Sequence, residues 1–225
     1  VSKRRFAPVL GPRLRKPTEE RAETPTMSRA GEWAARTITG DFADQVGDRL
    51  EITGCELTDA RLTACLMERA RITDCVFRGC DLSGTILSAA SLVRVEFVGC
   101  RLLGVTIPDG SFHDVKFSDC RMRMGNLRMA QGARVLFDHC DLGEADFYAA
   151  RLESLSVFDC NLADVDFSQA KLPGARLHGS SLDGIKGASS LRGVVIDSSQ
   201  VLPMALQMFG SMGVSVDDER DPDLR

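Results

Sequence analysis

From Ile52 to Leu182, every fifth residue is Ile, Leu, Met, Phe or Val, with Gly132 the single exception among 27 positions. A period of five fits neither the 3.6-residue turn of a helix nor the two-residue repeat of a strand. What fits is a short extended step followed by a corner, repeated along the chain. All eight cysteines, Cys55, Cys65, Cys75, Cys80, Cys100, Cys120, Cys140 and Cys160, fall in a second phase, two residues before the apolar one. From Cys55 to Ser180 that phase holds eight Cys, eight Ala and five Val, so it reads as a column of small inward side chains. The phase from Gly54 to Ser189 holds eight Gly and seven Asp among 28 positions, and both residue types tolerate turn or left-handed geometry.

The units Cys80-Asp81-Leu82-Ser83-Gly84, Cys140-Asp141-Leu142, Ala145-Asp146-Phe147, Cys160-Asn161-Leu162 and Val165-Asp166-Phe167 resemble the A-(D/N)-L-x-x unit of pentapeptide repeat proteins. The resemblance covers about residues 41–200 without a break in phase. It implies an all-β fold, a right-handed quadrilateral parallel β-helix in which four pentapeptides form the sides of one square coil, closed by a C-terminal capping helix. About eight coils at about 4.8 Å each give a rod about 38 Å long. Residues 20 apart should then stack, and the columns agree: Cys80 to Cys160 in one, Ala70, Ala90, Gly110, Ala130, Ala150 and Ala170 in another, and Phe77, Phe97, Phe117 and Phe137 in a third. Like on like lets each coil present the same cross-section to the next.

Outside the repeats, residues 1–27 carry Lys3, Arg4, Arg5, Arg13, Arg15, Lys16 and Arg21 and read as a disordered basic arm. Residues 28–40, with the only tryptophan, Trp33, read as an N-terminal cap over the first coil. Residues 198–216 read as a helix and short strand, capped by Ser198 or Ser199 and ended by Gly210 or Gly213, with an acidic tail at 217–225. Val201, Leu202, Ala205, Met208 and Phe209 are the candidate contact of a homodimer, since the helix carries more apolar surface than a cap needs. No stretch suits a membrane span, and residues 1–14 lack the apolar core of a signal peptide, so a cytoplasmic protein with no membrane contact is expected.

No catalytic, cofactor or metal site is expected. The cysteines stand at least five apart with no histidine in their phase, unlike converging zinc ligands, and read as small buried hydrophobes. There is no GxSxG, phosphate loop or HExxH, and a filled interior leaves no ligand pocket. Function therefore falls to the outer faces. Arg121, Arg123, Arg128 and Arg134 form a cationic stretch free of acids, with Met124 and Met129 at outward positions, while residues 138–166 carry eight acids against Arg151 alone. In the second stretch Glu144 stacks with Asp164, and Asp146 with Asp166. These two patches are the candidate surfaces for a protein partner, whose identity the sequence does not give. The alternative comes from the resemblance: quinolone-resistance and antibiotic-immunity members mimic duplex DNA and bind DNA gyrase or related type II topoisomerases. B-DNA carries one negative charge per about 1.7 Å, so a rod of this length needs on the order of 20 net negative charges to copy it. Residues 41–200 hold 23 acids and 17 bases, which argues against mimicry along the whole rod, and nothing favours DNA binding by the rod itself.

Overall fold

The computed structural model describes residues 8–14 and 26–214. The chain winds as a parallel β-solenoid whose turns each take four pentapeptides. Every fifth residue from Asp44 to Gly184 has positive φ, which places a left-handed corner at the end of every unit. This is the phase that the sequence enriches in Gly and Asp.

The first strands, β1 (Glu32–Ala34) and β2 (Thr37–Ile38), pair in parallel with β3 (Glu51–Thr53) and β4 (Glu56–Thr58). In the middle turns the two short strands merge into one that bends around a corner: β5 (Arg71–Arg78), β6 (Ser91–Val98), β7 (Ser111–Ser118) and β8 (Gln131–Asp138). The strand divides again into β9 (Arg151–Glu153) and β10 (Ser156–Phe158). These strands form two adjacent sides of the square. The other two sides are tight turns, each closed by an N–H to a carbonyl three residues earlier, as from Thr85 to Leu82 at 3.1 Å and from Ala90 to Leu87 at 3.0 Å. With positive φ at their third residues, Gly84 and Ala89, these sides are turns of the type II kind.

Many of these turns begin with Asp or Asn, and the structure shows why. The side chains of Asp81, Asn126, Asp146, Asn161 and Asp166 each accept the backbone N–H two residues on, at 2.7 to 3.1 Å. That Asx bond preforms the corner. Between turns the backbone bonds run along the rod in both directions, as from Leu82 N–H to Arg101 carbonyl at 2.7 Å and from Arg101 N–H to Cys80 carbonyl at 2.9 Å.

The interior is filled by the two inward phases. Phe77, Phe97, Phe117 and Phe137 stack with ring centroids 4.7 to 4.8 Å apart, matching the rise per turn. Each such pair adds about 0.5–1.5 kcal/mol beyond the area it buries. All eight cysteines are buried with free thiols, and burial pushes the Cys65 thiol up. Their phase does more than tolerate a small residue. Cys80, Cys100, Cys120 and Cys140 each direct Sγ at the carbonyl 23 residues earlier, at 3.4 to 3.5 Å, and Thr85 and Ser180 place their hydroxyls likewise.

The strict 20-residue register runs from the Asp41–Arg61 pair to the Asp166–Lys186 pair, about seven turns where about eight are expected. At each end the offset drops to 19, from Glu32 to Glu51 and from Arg176 to Val195. The segment read as a separate N-terminal cap is already strand: Trp33 is 1% exposed, pairs with Ile52 and packs on Phe42. Closure falls to residues read as part of the arm, since Met27 is buried and the Thr26 carbonyl accepts the Trp33 Nε1–H at 3.4 Å. Residues 8–14, also assigned to a disordered arm, lie against the rod; residues 1–7, 15–25 and the acidic tail fall outside the described residues.

At the other end, α1 (Val201–Ser211) follows a single 3-10 turn at Ser198–Gln200. The cap is Asp197, not Ser198 or Ser199: its carboxylate takes the Ser199 N–H while Gln200 returns Oε1 to the Asp197 N–H at 2.9 Å, a capping box. Gln200 also continues the cysteine column, donating Nε2 to the Leu177 carbonyl 23 residues earlier and to the Ser180 carbonyl at 2.6 Å. Gly213, at φ +72°, ends α1, with Val214 N–H bonded to Phe209 carbonyl at 2.9 Å and Gly213 N–H to Gly210 carbonyl at 3.1 Å. No strand follows it among the described residues.

The one break in the apolar phase has a packing cause. A Cβ on Gly132 would stand 2.0 Å from the Phe112 carbonyl oxygen and 3.0 Å from the Phe112 Cβ, so the Phe112 backbone one turn earlier comes too close for any side chain. Restoring the repeat with Gly132→Leu should therefore lower stability by about 1–3 kcal/mol, read by denaturant unfolding, whereas an unfilled site would be stabilised by the same change.

Candidate functional site

The outward residues that the sequence singles out fall on corners and on the flanks beside them. Met124, Glu144 and Asp164 follow one another on the corner between the two tight-turn sides, and Met129 sits on the next corner of the same turn. Asn126, Asp146, Asp166 and Lys186 form the neighbouring column on one flank. Met124, Glu144, Asp146, Asp164, Asp166 and Lys186 line one shallow groove. Arg121 stands on the other flank of this corner, between Arg101 and Asp141 in the backbone ladder.

The cationic and acidic patches, separate in the sequence, are adjacent turns of one surface and neutralise each other in part. Arg123 reaches Glu144 in a close ion pair and approaches Asp141 at 3.9 Å. Arg128 binds Asp146 at 2.8 Å, and its guanidinium lies 4.3 Å from the centre of the Tyr148 ring, a stacking residue that phase counting does not reveal. Asp164 and Asp166 have no ion pair among the described residues. Burial raises the Asp166 carboxyl, but hydrogen bonds from Ser168, helped by Lys186 and Arg128, outweigh it and hold the group below its ordinary value. One oxygen of Asp146 and of Asp166 is committed to its own turn, through Tyr148 N–H at 2.8 Å and Ser168 N–H at 2.7 Å, and the second oxygen of Asp146 is held by Arg128.

Met124 is 52% exposed and Met129 42%, although both occupy left-handed corners. That conformation costs a residue with a side chain about 1–2 kcal/mol, and Gly or Asp fills most of the same phase. Neither methionine recovers the cost by burial.

Arg134 does not join this surface. It lies on the diagonally opposite corner, where Asp74, Arg94, Asp114 and Arg134 alternate turn by turn. Arg94 grips Asp74, and Arg134 grips Asp114, each through Nε at 2.6 Å and Nη2 at 2.7 Å. The hydrogen bond from Arg134 holds the Asp114 carboxyl below its usual range, burial opposing.

A cation could reach Asp138, His139 and Asp159, whose ligand atoms lie within 4.8 Å of one another, but all three are solvated surface side chains and build no enclosed site. No helix among the described residues is long and apolar enough to cross a membrane.

Two family profiles match the chain: one described as a pentapeptide repeat region over residues 70–132, and one of pentapeptide repeats in eight copies over residues 160–184. The chain belongs to the pentapeptide repeat family. Among solved structures of pentapeptide repeat proteins, it is similar to HetL, involved in heterocyst differentiation regulation in the cyanobacterium Nostoc sp. strain PCC 7120. That match has 16% identity over 75% of this chain and 89% of HetL, with a TM-score of 0.45. Similarity to a trypsin-treated form of QnrB1, a plasmid-mediated fluoroquinolone resistance protein, is 20% identity over 84% of this chain and 99% of that one, with a TM-score of 0.42. Rfr23 from the cyanobacterium Cyanothece 51142 matches at 14% identity over 75% and 86%, with a TM-score of 0.21. None of the curated proteins compared matches the chain significantly.

At the dimer candidate, Val201, Leu202, Met208 and Phe209 are 44–68% exposed and Ala205 is half-buried. Leu206, 55% exposed, belongs with them though its phase hid it, and Met204 is the helix residue that packs on the core.

The Asp114–Arg134 pair gives this pentapeptide repeat rod a pH dependence of known sign. A carboxyl held below its unfolded value of about 3.9 contributes fully above that pH and loses its contribution as the pH falls through the lower folded value. Asp114→Asn should cost about 1–3 kcal/mol at neutral pH, and the gap between the two proteins should close below about pH 4 in unfolding titrations.

Proposed function

We propose that this pentapeptide repeat protein is a non-catalytic interaction module, and that its contact surface is the corner of Met124 with Met129 and the groove of Glu144, Asp146, Asp164 and Asp166 beside it. The observation that carries the reading is the pair of exposed methionines on adjacent corners. Every unit has the same corner conformation, so what sets these two apart is the apolar side chain each presents to solvent. Methionine adapts its shape to a partner's apolar surface, and the outward oxygens of Asp164 and Asp166 favour a partner with basic groups at the rim. Arg121, Arg123 and Arg128 border the surface, but Arg123 and Arg128 are engaged with its acids, which tilts the choice toward a basic partner.

Replacing both methionines by glycine separates fold from function. Met124→Gly/Met129→Gly should raise stability by about 1 kcal/mol or more, because glycine accepts the corner without strain. The same variant, and separately Asp164→Lys/Asp166→Lys, should weaken binding of a protein captured from the native cell and purified, by at least tenfold in titration. Unchanged affinity in both variants would place the contact elsewhere. A supercoiling assay with DNA gyrase is run on the same proteins. Inhibition by the wild type that is lost in Asp164→Lys/Asp166→Lys would favour the DNA-mimic reading instead, against which the neutralising ion pairs speak.

The same reading assigns α1 to self-association. Residues 201–214 contain no charged side chain, and Val201, Leu202, Leu206 and Phe209 are exposed. Light scattering at micromolar concentration should give twice the 24.5 kDa chain mass, reverting to 24.5 kDa in Leu202→Asp. A wild-type monomer would remove this assignment.

A further inference from the structure

Residues 8–14 cross the rod on the corner opposite the proposed contact surface. The Leu10 N–H donates to Asp114 Oδ1 at 3.0 Å, and the Arg13 N–H donates to Asp74 Oδ1 at 3.0 Å, over 104 and 61 residues of sequence. The two stations are built alike. At each, the oxygen that takes the segment's N–H also takes Nε of the arginine one turn further on, Arg134 at one and Arg94 at the other. Those arginines fix the carboxylates, and each carboxylate keeps a lone pair facing out for a further donor.

The spacing is a match of two periods. Asp74 and Asp114 are two turns apart, about 9.6 Å along the axis, and three residues of extended chain cover about the same distance. Between the stations the segment passes over the intervening turn, where a Cβ on Gly11 would lie 3.3 Å from Glu96 Oε1. Pro8 and Pro12 favour the extended form before docking. Leu10 and Leu14 are 50% and 42% exposed, and Val9 and Pro12 are half-buried, so no residue of the segment is a buried anchor and its backbone bonds set its place.

We propose that the column of Asp74, Arg94, Asp114 and Arg134 is a docking track for extended peptides, and that residues 8–14 are a displaceable strap occupying it in cis. The track reads main-chain N–H groups three residues apart, as an open sheet edge reads a strand, but along the rod axis instead of along a coil. Its alternating charges sum to zero, so recognition depends on backbone spacing more than on net charge. A peptide of the same spacing from a partner would compete with the strap, and release of the strap would open the track.

Leu10→Pro/Arg13→Pro in the full chain removes the two donors and leaves every rod residue in place. A fluorescent peptide with the sequence of residues 8–14 should bind this variant saturably in anisotropy titrations and bind the wild type at least tenfold more weakly. The same peptide with proline at both donor positions should not bind. In the wild type, amide exchange at Leu10 and Arg13 should be at least tenfold slower than in the free peptide. Exchange at free-peptide rates would show that the strap is not docked. Absence of binding to the variant, equal binding to both chains, or equal binding of the proline-bearing peptide would each overturn the track.

Discussion

Each turn of this solenoid is completed by its neighbours. A single 20-residue turn has two inward side chains per unit and backbone groups pointing up and down the axis, so alone it can neither bury its apolar residues nor satisfy its hydrogen bonds. Stacking solves both at once, provided that successive turns share a cross-section. That condition explains why phenylalanine follows phenylalanine and cysteine follows cysteine, and why glycine stands where the Phe112 backbone of the preceding turn comes too close for a side chain. The left-handed corner every five residues sets the common outline, and the Asx bonds of Asp81 or Asp166 hold it before the next turn arrives.

The same condition sorts the exterior. An outward acid in this fold has three possible employments: capping its own turn, pairing with an arginine one turn away, or facing solvent. Asp146 does the first two at once, and Asp114 anchors both an arginine and a distant backbone. Charge counted along the sequence therefore overstates the charge offered to a partner. What remains after sorting is small: two exposed methionines on adjacent corners, and a pair of acids, Asp164 and Asp166, with no ion pair among the described residues.

The repeat was legible because its phases are local and dense; Gly54, Asp59 and the cysteines announce corner and interior without any long-range knowledge. The ends were less so, because closure there uses single residues. Met27 and Gln200 belong to no run, and Gln200 reveals itself only as the successor of Ser180 in a column of thiols. The candidate surface was read as two patches because the pairing of Arg123 with Glu144 lies 21 residues away and that of Arg128 with Asp146 18 away, and either offset looks like distance until the coil is drawn. The strap at residues 8–14 left one trace, the alternation of Asp and Arg at Asp74, Arg94, Asp114 and Arg134, which reads as ordinary surface without the chain that crosses it.

Gln200 closes the rod by occupying the next place in an existing column, its side-chain N–H groups given to carbonyls of the last turn and its oxygen to the cap at Asp197. The closure is thus indifferent to how many turns precede it. Gene duplication that adds or removes whole 20-residue turns would leave both the end stop and the facing of every column intact, so such a rod can change length freely during evolution. A gain of five residues would also keep the interior in phase, yet it would rotate everything beyond it by a quarter revolution and carry Glu144 and Asp164 onto a different face from Met124. Selection on the surface would then act on multiples of four units, while selection on the core would act on single ones.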